Sequence, residues 1–469
     1  MANKAADLVC RNGLIVTPGG TIEGGVAILD GKIAAVGTDG FLPAADRQID
    51  LAGKYLLPGA IDPECHLGSH RRLADDFQTE TRAAAATGVT TWGMQLVSLA
   101  ITGGADKVKG PTDIPSFTKA MPLYYEAARS AAIDFFLTPI LGTDEHVGEI
   151  PYLAKEHGIT SFKLHLQMQG PWKSSWPAYA FDDGSIYATF ESVAKLGAPA
   201  IALLHCENWE IARVLQQRLV DAGRTDMGAW DDRSPAFTEA GHARTYLYYA
   251  RVAGCPIYVV HVTTKETIAE IERAKAEGLT VHSEIGTHYL VLHKDAWKIN
   301  VPLRDRSTHE ALWQALASGA IDCIGSDHDS YLLNLGSPDS ALRKRSVAAF
   351  VDELERCEIL GVSNLVAHPG SHVGAGEDEG IKTIALSLDE VHKACPGYNV
   401  KVTLEITAGQ GSNLGYRFEQ IARMLDATKE SDRLRVCFDT EHEICLRRAV
   451  QVCSKKFFGD NHFSLVLSL

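Results

Sequence analysis

The chain has 469 residues, of which 45% are hydrophobic and 22% charged, a globular composition that excludes a disordered chain. A formal net charge of -14 argues against a protein that coats nucleic acid through bulk charge. No run approaches the ~20 apolar residues of a membrane span, and the start MANKAADLVCRNG lacks the apolar core of a secretion signal, so a cytoplasmic protein with no membrane partner is expected.

Residues 1–57 alternate apolar and polar positions with glycine punctuation, as in GGVAILDGKIAAVG, and predict a small N-terminal β layer. From residue 58 the pattern changes. Apolar runs alternate with alanine-rich helical stretches: YLLPGAID, GVTTWGMQL, AIDFFLTPI, ITSFKLHL, PAIALLHC, CPIYVVHV, GLTVHSEI and AIDCIGSD. Eight such strands predict an α/β fold, a (β/α)8 TIM-type barrel over residues 58–327. Residues 328–442 predict a partial βα barrel segment with strands SNLVAH, VKVTLEI and LRVCFDT, too few to close. Residues 443–469 continue neither pattern. The ten cysteines are scattered and read as reduced, buried thiols.

Polar residues end several barrel strands, where such folds gather their active sites. Strand one ends in Glu64-Cys65-His66, strand four carries Lys163, and strands five, six and eight carry His205, His261 and Asp327. Singly, each has a bland reading: a hydrogen-bonded rim histidine, a salt-bridged lysine, a helix-capping aspartate. In this order on a barrel pattern they suit a divalent metal such as zinc.

The stretches LLPGAIDPECHLG, DDFQTETRAAAATGVTTW, SFKLHLQ, LLHCEN, IYVVHVTT, SEIGTHYL, INVPLRD and CIGSDH resemble the cyclic amidohydrolases, most of all the dihydropyrimidinase and hydantoinase branch. The resemblance covers residues 1 to about 327. It implies a β-sandwich part, the barrel, and two divalent metals bridged by a carboxylated Lys163. It implies His66, Lys163, His205, His261 and Asp327 as metal ligands, with Glu64 beside them, and Asp327 as the catalytic acceptor of the water proton. Asn300 matches a position that contacts the small cyclic amide substrate. Metal-activated hydroxide would then open the amide ring. The family has His-x-His on strand one, whereas this chain has Glu64-Cys65-His66. It also lacks the tyrosine that hydantoinases place after the strand-four lysine; His165 stands nearby.

A second set, HDSYLLNLGSP, LVAHPGSHVGAG, TLEITAGQGSNLG and VCFDTEH, resembles endonuclease IV, the zinc-dependent apurinic/apyrimidinic endonuclease of DNA repair. Matching residues are His328, His368, Glu405, Asp439 and His442 as a second metal cluster, with Tyr331 and Leu332 as a wedge toward abasic DNA. The first strands and the last ligands of that barrel have no counterpart here. The two patterns meet at Ser326-Asp327-His328-Asp329 without a linker.

The leading expectation is therefore a metal-dependent hydrolase of cyclic amide C–N bonds. The alternatives are a fragment of an abasic-site endonuclease, with a nuclear location if that segment functions, and an inactive chimera of two truncated barrels. Helix SALRKRSVAAFVDELERCEILG is expected to replace the missing eighth barrel helix. A homo-oligomer stays open.

Overall fold

The structure is a computed structural model and describes residues 5–68, 72–97, 115–165, 182–224, 226–296, 298–329, 333–360, 362–407 and 412–437. It divides into two compact units, Met1–Ser330 and Tyr331–Leu469.

The first unit opens with a five-stranded sheet. Strands β1 (Ala6–Thr17), β2 (Gly20–Leu29) and β3 (Lys32–Gly37) form an antiparallel meander. Strands β4 (Ala45–Asp50) and β5 (Tyr55–Leu56) pair parallel with β1. Alternation along β1 puts Val9 and Ile15 inward, and Ala6, Val9 and Ala27 form a small core.

The barrel strands then follow: β6 (Ala60–His66), β7 (Val89–Leu96), β8 (Asp134–Leu141), β9 (Ser161–His165), β10 (Ile201–His205), β11 (Ile257–Val259) and β12 (Val281–Gly286). The eighth strand is broken into β13 (Cys323–Gly325) and β14 (His328–Asp329). All pair in parallel and in chain order. β13 bonds to β12, while β14 bonds to β6 with His328 opposite Cys65, so the circle closes through the two halves of one strand.

The helices α1 (Leu73–Ala86), α2 (Phe117–Ala127), α3 (Asp144–His157), α4 (Asp183–Leu196), α5 (Trp209–Asp221), α6 (Gly228–Asp232), α7 (Ala236–Ala253), α8 (Lys265–Ala276) and α9 (His309–Ser318) lie between the strands, with α5, α6 and α7 in succession between β10 and β11. Local chemistry sets their ends. Thr143 and Thr264 accept hydrogen bonds from His146 N and Thr267 N at the starts of α3 and α8, and Gly158 and Gly254 end α3 and α7 in the left-handed conformation. One large apolar core, with Phe77, Met121, Phe162, Phe190 and Ile257 fully buried, joins strands to helices.

Asp62 explains the closure. Its carboxylate accepts from Trp92 Nε1 of β7 at 3.0 Å and from Ser326 N in the break of strand eight at 2.9 Å. It thus ties strands one, two and eight together at the rim. Gly93 permits the same seam: a Cβ there would lie 2.0 Å from Pro63 O.

The second unit contains helix α10 (Ser340–Leu360), strands β15 (Asn364–Ala367) and β16 (Gly370–Ser371), helix α11 (Glu377–Ala394), strands β17 (Lys401–Glu405) and β18 (Asn413–Leu414), helix α12 (Phe418–Ala427) and strand β19 (Leu434–Cys437). Strands β15, β17 and β19 form a parallel three-stranded sheet. Its core holds Leu354, Leu388, Val402, Leu404 and Met424.

The expectation for α10 is overturned. Its buried Phe350 and Leu354 belong to the core of the second unit, with α11 and β17, not to the first barrel. An amphipathic helix needs an apolar partner, and the nearest in sequence supplies it.

Candidate active site

The strand ends of the first unit gather the acidic and imidazole groups. On β6 the pairing with β7 slips between Asp62 and Cys65, and the neighbours Glu64 and Cys65 are both fully buried while His66 is partly so. Asp327 sits in the break of strand eight at φ +50°, a left-handed conformation that breaks the strand and projects the carboxylate over the rim. His66 Nε2 lies 3.2 Å from Asp327 Oδ1 and 3.7 Å from Glu64 Oε1. One donor atom from each of Glu64, His66 and Asp327 lies within 4.8 Å of the others, the spacing of a shared cation.

Lys163 on β9 is fully buried, and its Nζ is in direct ion-pair contact with Glu64 Oε1. His205 ends β10, and its Nδ1 lies 2.7 Å from Nε2 of His261. His165 stacks on His205 at 4.9 Å and meets His66 edge-on at 6.3 Å, so the imidazoles form a continuous wall. His205 Nε2 is buried without a hydrogen bond, and Glu207 Oε2 stands 3.8 Å away. Both ring nitrogens of His165 are likewise buried and without a hydrogen-bond partner.

Electrostatics divides these groups. Burial pushes His205 and His261 down, which favours the neutral imidazoles that a metal binds. Burial also acts on His66, but the Asp327 carboxylate outweighs it and raises that imidazole. Asp327 is held well below the usual carboxylate range against the pull of burial, because His66 donates to it. Burial lowers Lys163 to about 8, against the opposing pull of Asp327 and Glu284. The buried carboxylates, orphaned imidazole nitrogens and converging donor set fit a divalent cation.

Asn300 lies on the exposed segment after β12. Its neighbours are pinned: Trp230 Nε1 donates to Ile299 O and Tyr289 OH to Val301 O, both at 2.7 Å. Its side-chain oxygen accepts from Arg233 Nη2 at 2.9 Å. Arg233 is itself buried, with its guanidinium 3.5 Å from the Trp230 ring centre and 4.5 Å from that of Trp209.

Sequence reasoning assigned no role to three groups here. Glu284 on β12 accepts from Tyr258 OH at 2.6 Å, and burial raises it to about 7. Gly325 makes room for it, since a Cβ there would lie 2.4 Å from Glu284 Oε1. Glu207 accepts from Ser234 Oγ at 2.6 Å and pairs with Arg233 at 3.4 Å. Asp62 holds the closing seam. The signal was present as acidic residues inside otherwise apolar motifs, SEIG, CEN and AIDPE.

The second set is divided differently. His328 belongs to the first unit, where its Nε2 lies 3.0 Å from Glu80 Oε2 and its ring stacks on Trp92. In the second unit His368 follows β15 and Glu405 ends β17, with Nε2 and Oε2 3.2 Å apart. Asp439, His442, Tyr331, Leu332 and residues 443–469 lie outside the described residues. Among the described residues, Glu64, His66 and Asp327 form the one group of three or more metal-type side chains within that spacing.

Known proteins resemble both parts. A family model described as a xylose isomerase-like TIM barrel (AP endonuclease 2) matches residues 281–464, beginning in β12 of the first barrel. The D-hydantoinase of Ralstonia pickettii is 32% identical over 341 residues, 70% of this chain and 69% of the relative. The allantoinase of Bacillus licheniformis is 29% identical, over 71% of this chain and 73% of its own. A solved D-hydantoinase structure aligns with a TM-score of 0.60 at 31% identity, covering 70% of this chain and 69% of that one. Identity, coverage and the closed barrel agree, and the chain belongs to the hydantoinase and allantoinase family of cyclic amidohydrolases.

Proposed function

We propose that the protein is a divalent-metal-dependent hydrolase that opens small cyclic amides of the hydantoin and dihydropyrimidine type, with zinc as its metal. The observation that carries the proposal is the convergence of Glu64, His66 and Asp327 at the barrel rim, backed by the buried His205 and His261. A bound divalent ion supplies Lewis acidity to the amide carbonyl and makes water more acidic. The chain supplies the rest. Asp327, ionised through its contact with His66, receives the water proton on its carboxylate. Asn300, on a segment braced by Trp230, Tyr289 and Arg233, orients the ring through its backbone. Among the described residues, no helix is long and apolar enough to cross a membrane.

The test is release of the carbamoyl acid from hydantoin, dihydrouracil and allantoin by the zinc-loaded chain, followed by chromatography. Ring opening that chelator abolishes and zinc restores is expected. A folded, metal-loaded chain that opens none of the three overturns the proposal.

The His368–Glu405 pair and the family-model match favour a second reading for the C-terminal unit alone, as a fragment of a zinc-dependent endonuclease of abasic DNA. Chelator-sensitive nicking of an abasic duplex that disappears in Glu405→Gln is the result that this reading requires.

A further inference from the structure

We infer that Gln95 reads the substrate: its side-chain amide pairs with the uncleaved ureide edge of the cyclic amide, donating to the C=O of that edge and accepting from its N–H. The inference rests on the proposed hydrolase reading and specifies how that site recognises its ring.

Two observations carry it. The first is position. Gln95 lies near the end of β7 directly opposite His66 of β6, one residue after Met94 stands opposite Cys65. Cys65, Met94 and Leu96 belong to the apolar core between strands and helices. Side chains alternate along a strand, so Gln95 falls on the other face, shared with His66, whose ring meets Asp327. The second is the state of the amide. Gln95 is fully buried, and neither its Oε1 nor its Nε2 has a hydrogen-bond partner among the described residues. Its lateral neighbours are engaged elsewhere. His66 Nε2 faces Asp327 and Glu64, and Thr138, opposite Gln95 on β8, bonds to Ser161 Oγ at 2.6 Å.

Chemistry decides what fits. A buried polar group without a partner is costly, so an orphaned amide at a strand end marks a place where a partner arrives. A primary amide presents one acceptor and one donor group side by side. A cation engages Oε1 and leaves Nε2 unpaired; a carboxylate engages Nε2 and leaves Oε1 unpaired. A cis-amide edge, O=C–N–H within a ring, satisfies both atoms in one plane. In a hydantoin or a dihydropyrimidine one amide is cut at the cation, and the ureide edge is left for Gln95. Neighbouring strands lie about 4.8 Å apart, so a small ring whose scissile carbonyl is held beside His66 has its other edge next to Gln95.

The experiment uses the full zinc-loaded chain with two rings, hydantoin and succinimide. Succinimide keeps the scissile amide and carries CH2 where hydantoin carries the ureide N–H. Dihydrouracil and glutarimide form the same pair in the six-membered series. The ratio kcat/KM is measured for each ring in the wild type and in Gln95→Met, so that each ring is its own reference. A ring that binds without opening is read by its inhibition constant. Gln95→Met should weaken the ureide ring by roughly tenfold to a hundredfold. It should change the imide ring by less than about threefold, because the CH2 leaves Oε1 unpaired and offsets what Nε2 contributes. Zinc per chain should stay the same, and the thermal transition should hold or rise, since methionine replaces an orphaned buried amide at similar volume. Equal losses on both rings, or none on either, would overturn the inference and leave the hydrolase reading intact; the amide would then meet only water or the fold. Zinc lost from the variant would make Gln95 a metal ligand and overturn it as well. A Gln95→Met chain that no longer folds would show that the amide is bonded within the free protein, with the same consequence. A folded, zinc-loaded wild type that opens none of these rings would overturn the hydrolase reading itself, and the inference with it.

Discussion

The two units carry strand-end histidines and carboxylates of the same chemical type, yet among the described residues three of them converge only in the first. In the first, Glu64, Lys163 and His205 are almost wholly shielded, at 0%, 1% and 4% side-chain exposure. In the second, His368 remains 57% exposed and Glu405 21%. The difference is closure. Eight parallel strands joined through β13 and β14 turn every strand end toward one axis, and Asp62 fastens the seam. The three parallel strands described in the second unit form no closed circle, and water reaches the His368–Glu405 pair at their ends. Ligand identity in a motif is therefore not sufficient; the sheet must also bring the ligands round to one another.

The sharpest way to break this comparison is to delete one strand-end side chain from each unit. Asp327→Ala should lower cyclic-amide turnover by about a thousandfold with the fold retained, since it removes both a metal donor and the proton acceptor. His368→Ala should leave that turnover within about twofold, as its ion-pair partner is Glu405 of its own unit. Steady-state kinetics of both variants with hydantoin checks the pair. An equal loss in the two would mean that the units share one catalytic centre.

Much of the first unit was legible because a buried parallel strand advertises itself: an apolar run that stops abruptly at a His, Lys or Asp. All eight runs became strands, and Glu64, His66, Lys163, His205, His261 and Asp327 came to the rim. What was not legible depends on partners far away in sequence. Asp62 stands in the strand-one motif with no assigned role until Ser326, 264 positions on, donates to it. Glu284 stands inside the motif SEIG with no assigned role until Gly325 leaves space beside it. The apolar face of α10 fits any core, and periodicity does not say that Phe350 and Leu354 enter the second one. Where strand eight breaks at Asp327 was also hidden, because a positive φ at a non-glycine residue leaves no pattern in the sequence.

A core truncation in each unit sharpens the comparison next. Phe162 and Leu354 are both fully buried, in different cores. Phe162→Ala should cost about 3–5 kcal/mol and Leu354→Ala about 2–5 kcal/mol, through lost burial and a residual cavity. Phe162→Ala should reduce bound zinc, because Phe162 precedes Lys163 on β9 and packs behind the site. Leu354→Ala should leave zinc content unchanged while lowering the thermal transition of its own unit. Calorimetry with parallel metal analysis reads both, and zinc loss in Leu354→Ala would show that the two cores fold as one.

The smallest expected effect is a pH dependence confined to the second unit. Burial raises Asp352 to about 6, helped by Glu355 and Glu353 and opposed by Arg356, and its Oδ2 is buried without a hydrogen-bond partner. The folded state thus holds the Asp352 proton more tightly than the unfolded state, whose carboxyl titrates near 3.8. Its stabilising contribution is complete below that value and is lost as the pH rises through about 6. Asparagine keeps the shape and cannot ionise. Asp352→Asn should therefore match the wild type near the acid end and exceed it at pH 8 by about 1 kcal/mol, since partial solvent access screens the full effect. Hydrogen exchange read at β17 reports the second unit, and the same measurement at β9 serves as the control in the first. A gain at β17 with none at β9 is the expected pattern. A gain that appears at acid pH and vanishes at pH 8 would reverse the sign and remove burial as the cause.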